Sequence, residues 1–314
     1  MSLQANNRRD WQVDDYALGE TLQSGQAFGW DRDGDGWTGV VAGRWVRLSQ
    51  CGGVISAEVA EPLTEWGWIE SYLDLHEDLG SVLATFPQDG PLGEAIAACR
   101  GLRLLRQDPW ECLAGFICSS TKQIVQIRQI VRNLRERYGA PVVTPEGVSP
   151  AFAFPSVEAV AALDESALRA CKLGFRAPYL LGAARRVAEG RLDLAAVPRM
   201  GLEEARAQLM ELSGVGRKVA DCALLFGFGH RQAFPVDVWV RAALTRLYFP
   251  RARKVTARRI EEFSASYFGA NGGYAQQYLF HYVRTRLGRA WAAGKVVREE
   301  PSPVPIKAAR ARRP

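Results

Sequence analysis

The 314-residue chain is poor in the residues that hold metals. Its three histidines form no cluster, and its six cysteines (Cys51, Cys99, Cys112, Cys118, Cys171, Cys222) are scattered without a CxxC pair. That spacing argues against structural zinc and fits reduced thiols in an intracellular protein. The C-terminal third also lacks a four-cysteine run of the kind that binds an iron–sulfur cluster. No metal or cofactor is expected. The opening residues, MSLQANNRRDWQV, contain no apolar stretch, so no secretory leader is expected there. No uninterrupted apolar run is long enough to cross a bilayer. A soluble, cytoplasmic chain with no membrane partner is the expectation.

With 47% hydrophobic residues the chain can bury a sizeable core, and its length suggests two domains or one subdivided domain. The net charge of +6 and a pI of about 9.1 favour an anionic partner, of which phosphate is the commonest. Charge by itself does not decide the matter.

From about Trp11 to Val59 the pattern reads as antiparallel β structure. Trp37, Gly39 and Val41 alternate, Trp45, Val46 and Leu48 run against Arg44 and Arg47, and Gly34–Gly36 and Gly52–Gly53 supply turns. After Pro62 the period becomes helical and stays so to Leu287, with prolines near several first turns and short glycine or proline breaks. A sheet followed by a run of helices is α+β. Three parts are expected: a β-rich domain over 1–100, a helical domain over 101–290 and a disordered basic tail over 291–314, ending PSPVPIKAARARRP.

The most informative segment is LMELSGVGRKVADCALLFGFG, Leu209–Gly229. A helix ends at Leu212, Gly214-Val215-Gly216 makes a tight turn, and a second helix starts near Arg217. Exposed amides of the turn and the positive end of the helix together suit a phosphate; an ordinary αα-hairpin is the plainer alternative. Lys218 sits in the first turn, and one-turn spacing puts Cys222 and Phe226 on its face. An apolar wall and a positive helix end would both disfavour the ammonium, and a neutral amine is what nucleophilic attack needs. A solvated lysine is the alternative. In QAFPVDVWVRAAL, Asp237 precedes a helix beginning at Val238, the position of an N-cap.

LSGVGRKVADC followed by PVDV resembles the helix-hairpin-helix (HhH-GPD) glycosylase superfamily, and more closely the 8-oxoguanine DNA glycosylases. The resemblance extends through SGQAFGW (Ser24–Trp30), LLRQDPWECLAGFICSS (Leu104–Ser120), LGFRAPYL (Leu173–Leu180) and YAQQYLF (Tyr274–Phe280). A lone GVG hairpin is a weak signal; five colinear blocks are a strong one. The resemblance implies a twisted N-terminal sheet and a two-part helical glycosylase domain. It implies a monomer acting on double-stranded DNA in base excision repair, at the nucleoid in a bacterium or the nucleus in a eukaryote. By that resemblance Lys218 is expected to attack C1′ of the damaged nucleotide, form a Schiff base and permit strand cleavage, with Asp237 stabilising positive charge on the sugar. The target base is expected to be flipped out. Cys222 and Phe280 should then sandwich it, with Phe226 lining the pocket, Gln276 bonding its Watson–Crick edge, and the Gly25 carbonyl accepting the N7–H that 8-oxoguanine has and guanine lacks. Gly214, Val215 and Gly216 are expected to meet the DNA backbone.

The match breaks on the opposite strand. Thr121, Lys122 and Gln123 stand where the family usually has three asparagines, and Gln126 where it has an arginine. Phe175 replaces a tyrosine wedge, Trp239 replaces a phosphate-contacting histidine, and of the residues that read the estranged cytosine only Arg176 persists. A weaker preference for cytosine opposite the lesion is therefore expected. Two other readings stand beside this one: a glycosylase for alkylated purines, whose members generally lack the hairpin lysine, and a non-catalytic DNA-binding module, which needs neither Lys218 nor Asp237.

Overall fold

The computed structural model describes residues 5–295. It opens with β1 (Asn6–Gln12), α1 (Leu18–Gln23), β2 (Asp31–Asp33), β3 (Gly36–Val41), β4 (Arg44–Cys51) and β5 (Val54–Leu63). The strands form one antiparallel sheet in the order β1-β5-β4-β3-β2, with both glycine turns where the alternation puts them. Val46 pairs with Val59 and Leu48 with Ala57, so the inward residues of neighbouring strands stack on one face. Trp66, Ile69 and Leu73, from the stretch containing α2 (Gly67–Leu73), cover that face.

One departure lies inside the stretch read as β. LGETLQ is the helix α1, which buries Leu18 and Leu22 in the sheet core, each 1% exposed. A single i, i+4 apolar pair in six residues is too short to register as a helical period.

The helical part comprises α3 (Leu79–Ala84), α4 (Gly90–Ala98), α5 (Pro109–Cys118), α6 (Ile124–Tyr138), α7 (Val157–Ala161), α8 (Glu165–Ala170), α9 (Ala177–Ala188), α10 (Leu202–Met210), α11 (Arg217–Phe226), α12 (Val238–Ala243), α13 (Ala257–Tyr267), α14 (Gly272–Tyr282) and α15 (Gly288–Ala292). Helices α12 and α14 each run on into a π-turn, Leu244–Tyr248 and Val283–Leu287. A two-residue ribbon, β6 (Pro141–Val142) with β7 (Ala151–Phe152), interrupts the helices. Asp78, Asp89, Asp108, Ser156, Asp164 and Thr256 each cap a following helix through the side chain, which explains why these helices start where they do.

Packing divides the chain earlier than residue 100. Leu79, Phe86, Leu92 and Cys99 belong to the helical core, whereas the sheet core holds Tyr16 to Leu73 plus Leu105. The boundary drawn at 291 falls inside α15, whose Trp291 is buried beneath the Arg246 guanidinium, 4.7 Å from its ring. The rest of the expected basic tail, 296–314, lies outside the described residues. Among the described residues no helix is long and apolar enough to cross a membrane.

Candidate active site

The hairpin between α10 and α11 forms as its glycines require. Gly214 has φ +80°, and a Cβ there would meet Tyr179 Cδ2 at 2.3 Å, so only glycine fits against that ring. Val215 is buried, and its N–H bonds the Leu212 carbonyl at 3.0 Å. That corrects the expectation for Val215: its amide closes the turn and does not face outward. The amides of Gly214, Gly216, Arg217 and Lys218 have no acceptor among the described residues, and Gly216 is exposed. They form the open, electropositive end of α11.

Lys218 is half-buried. Its Nζ donates to Ser119 Oγ at 3.1 Å and lies 5.2 Å from the centroid of the Phe116 ring. Phe116 stacks on Phe226 at 5.6 Å, and both Cys222 and Phe226 are 4% exposed. The apolar wall is therefore real. Burial pushes the Cys222 thiol up to about 12, against the pull of the Lys218 charge, so the thiol is neutral at ordinary pH.

Asp237 caps α12 with a single oxygen: Oδ1 accepts from the amides of Trp239 and Val240, each at 2.9 Å. Its Oδ2 accepts no hydrogen bond among the described residues. Burial raises its carboxyl above the usual aspartate range, and the Val240 amide, the Lys218 charge, the Trp239 amide and the Arg284 charge oppose that rise. One carboxylate thus serves a helix end with one oxygen and keeps the other free in the field of the lysine. Trp239 is half-buried in that first turn.

Gly25 lies in a loop whose neighbours are pinned. The Ser24 carbonyl accepts from Gln277 Nε2 at 3.1 Å and the Gln26 carbonyl from Gln107 Nε2 at 2.8 Å. The Gly25 carbonyl between them accepts nothing among the described residues. Its φ is +79°, and a Cβ would stand 2.7 Å from Ile124 Cδ1 and 3.4 Å from Phe280 Cε1. Gln276, 4% exposed, has an Oε1 with no hydrogen-bond partner. A buried acceptor without a partner, as Gln276 Oε1 is, departs from the rule that buried polar groups are nearly always satisfied. Phe280 is half-buried beneath the Arg284 guanidinium, 5.5 Å from its ring centre.

The residues expected to face the opposite strand are arranged differently. Arg176 is 2% exposed, and its guanidinium turns inward to the Ser120 and Leu173 carbonyls and, at 2.6 Å, to Thr121 Oγ1. In this structure its donors are turned to acceptors within the protein. Thr121 itself has φ +57°, a left-handed conformation rare for a β-branched residue. Gln126 Oε1 accepts from the Gln123 amide at 3.1 Å at the start of α6. Phe175, 52% exposed, lies against Arg176, and Lys122 is half-buried.

Sequence reasoning missed Phe116, Ser119, Ile124 and Arg284. Arg284 was within reach of it, being four residues beyond Phe280 in the same helical run. The other three follow from packing between elements.

Among the described residues, Glu20, Cys99 and His281 form the one group close enough to share a metal ion, their donor atoms lying within 4.8 Å of one another. The surroundings suit an ion-pair network better. Arg284 donates to His281 Nδ1 at 3.2 Å and Arg286 to Glu20 at 2.8 Å. A metal on Nε2 would leave the other ring nitrogen facing a donor, the reverse of the usual support for a ligating histidine.

Residues 10–113 match the 8-oxoguanine DNA glycosylase N-terminal domain family, and residues 114–267 match the HhH-GPD superfamily of base excision DNA repair proteins. The probable N-glycosylase/DNA lyase of Methanothermobacter thermautotrophicus is 34% identical over 69% of this chain and 74% of its own. The N-glycosylase/DNA lyase OGG1 of Arabidopsis thaliana is 30% identical over 83% of this chain and 75% of its own. The Clostridium acetobutylicum 8-oxoguanine glycosylase/lyase, solved with double-stranded DNA containing cytosine opposite 8-oxoguanine, superposes with a TM-score of 0.82 at 30% identity, over 89% of this chain and 98% of that one. The chain belongs to the 8-oxoguanine DNA glycosylase family of the HhH-GPD superfamily.

Proposed function

We propose that this family member is a bifunctional DNA glycosylase and apurinic-site lyase that excises 8-oxoguanine from duplex DNA. The observation that carries the reading is the convergence of Lys218, its apolar wall and the half-free carboxylate of Asp237 at the open end of α11. The duplex backbone meets the free amides of the hairpin. The damaged nucleotide is flipped out, because C1′ and the base edge are inaccessible inside the stack.

The Lys218 nitrogen then bonds C1′ as the glycosidic bond breaks, the base leaving with the electron pair and taking up a proton. Loss of a proton from nitrogen and opening of the sugar ring give the Schiff base. Removal of a C2′ proton expels the 3′ oxygen and cuts the strand. Asp237 Oδ2 stabilises the positive charge that develops on the sugar. In the pocket, Cys222 and Phe280 flank the base, Phe226 backs it, and the partnerless Gln276 Oε1 and Gly25 carbonyl await donors. Guanine has a lone pair at N7 where 8-oxoguanine has N–H, so the Gly25 contact discriminates by about 1–3 kcal/mol. The enzyme works as a monomer.

The test is borohydride trapping on an 8-oxoguanine duplex. A covalent protein–DNA adduct that disappears in Lys218→Gln is expected; active protein without an adduct would refute the nucleophile. Because Arg176 and Gln126 are engaged within the protein, we also propose a relaxed preference for the opposite base. One bidentate base contact supplies about 1–3 kcal/mol of discrimination, and with none made to the opposite base, excision opposite the four bases should differ by less than about tenfold. A preference for cytosine of about a hundredfold would contradict this.

A further inference from the structure

We infer that Ser119 is a positioning residue for the Lys218 amine, a role that rests on the reading of Lys218 as the nucleophile. Ser119 follows α5 as its C-cap and is 8% exposed. Its hydroxyl has one proton, and that proton is committed to the Phe116 carbonyl at 2.7 Å. Towards Lys218 the oxygen therefore offers lone pairs alone, and it accepts from Nζ at 3.1 Å.

The direction of this bond matters for the chemistry. A neutral amine has two N–H groups and one lone pair, and a partner that donated to nitrogen would block attack. Ser119 takes an N–H, and the Phe116 ring below the amine presents a π face that also attracts N–H and cannot donate. Neither of these two contacts engages the lone pair, and together with Cys222, which also lies beside the amine, they hold the long, flexible lysine stem in one place. Preorganisation of this kind speeds a reaction by removing the search for geometry.

Ser119 is itself held from its other side. Arg176 grips the carbonyl of the adjacent Ser120 and the Thr121 hydroxyl, and Thr121 keeps its left-handed backbone there. The inward turn of Arg176 acquires a purpose in this arrangement: it fixes the chain from which Ser119 meets the lysine.

The experiment uses the full chain carrying Ser119→Ala, Ser119→Cys or Ser119→Thr. Single-turnover borohydride trapping on a duplex with a preformed abasic site reads the lysine without base recognition. Binding to a duplex with a tetrahydrofuran abasic analogue reads affinity. Ser119→Ala and Ser119→Cys should lower the maximal trapping rate about tenfold, the worth of one hydrogen bond to the reacting group, with half-saturating enzyme concentration and analogue affinity unchanged. Ser119→Thr, which keeps the hydroxyl, should stay within about twofold of the parent. If Ser119→Ala fails to fold, Ser119→Cys, of similar size and weak as an acceptor, decides. A parental rate in both would overturn the inference and leave the nucleophile reading intact, as would affinity falling in step with rate. A parent protein that forms no adduct on either an abasic or an 8-oxoguanine duplex would overturn both.

Discussion

Replacing Asp237 in two ways separates its structural work from its chemical work. Both capping bonds, from the amides of Trp239 and Val240, go to Oδ1, at 2.9 Å each. In Asp237→Asn the amide oxygen can occupy that place and keep both bonds. The substitution also removes a charge that burial disfavours, so the Asn variant should be as stable as the parent or more so. Asp237→Ala strands both amides and should cost about 1 kcal/mol, or roughly 2–4 °C in Tm for a chain of this size. Activity should divide differently. Both variants lose the anionic Oδ2, and both should fall about a hundredfold or more in single-turnover excision of 8-oxoguanine. Urea unfolding beside single-turnover kinetics reads the two effects independently. Equal destabilisation by Asn and Ala would refute the division between the oxygens; a parental excision rate in Asp237→Asn would refute the role of the charge.

Three further outcomes are expected. Burial raises the Asp237 carboxyl, so it regains its proton at a higher pH than an exposed aspartate and its charge is lost as pH falls through that raised value. A pH profile of single-turnover excision should show an acidic limb above the ordinary aspartate value of about 3.9 that is missing from the residual rate of Asp237→Asn; a limb persisting in the variant would assign it to another group. In Gly25→Ala the φ of +79° costs a side chain about 1–2 kcal/mol, and the new Cβ displaces the flexible end of Ile124. Excision of 8-oxoguanine should slow about tenfold while cleavage at a preformed abasic site stays nearly unchanged, and equal loss on both substrates would contradict the role of the loop in reading the base. Asp221 pairs with Arg206 at 2.6 Å, the side chains 3% and 5% exposed, so Asp221→Ala leaves a buried guanidinium with only the exposed Glu203 as its ion-pair partner. It should destabilise by about 3–5 kcal/mol in urea unfolding, and a change below about 1 kcal/mol would show that Arg206 escapes to solvent.

The sequence by itself carried what local geometry dictates. Glycine spacing marked the hairpin, helical spacing put Lys218, Cys222 and Phe226 on one face, and the residue before Val238 marked Asp237 as a cap. The α6 run was legible from Ile124 to Tyr138 because fifteen residues hold four turns of one amphipathic period. These features depend on residues a few positions apart, whose relation a helix or a turn fixes without outside help. Tertiary structure decided the rest. Ser119 reaches Lys218 across 99 residues, and Gln277 pins the loop beside Gly25 across 253. That Arg176 bonds Ser120 and Thr121 is visible only in the packed fold, and Gly25 looks like any glycine until the carbonyls on both sides are found taken. Which donor meets which acceptor across such distances depends on how the elements pack, and no spacing along the chain records that packing.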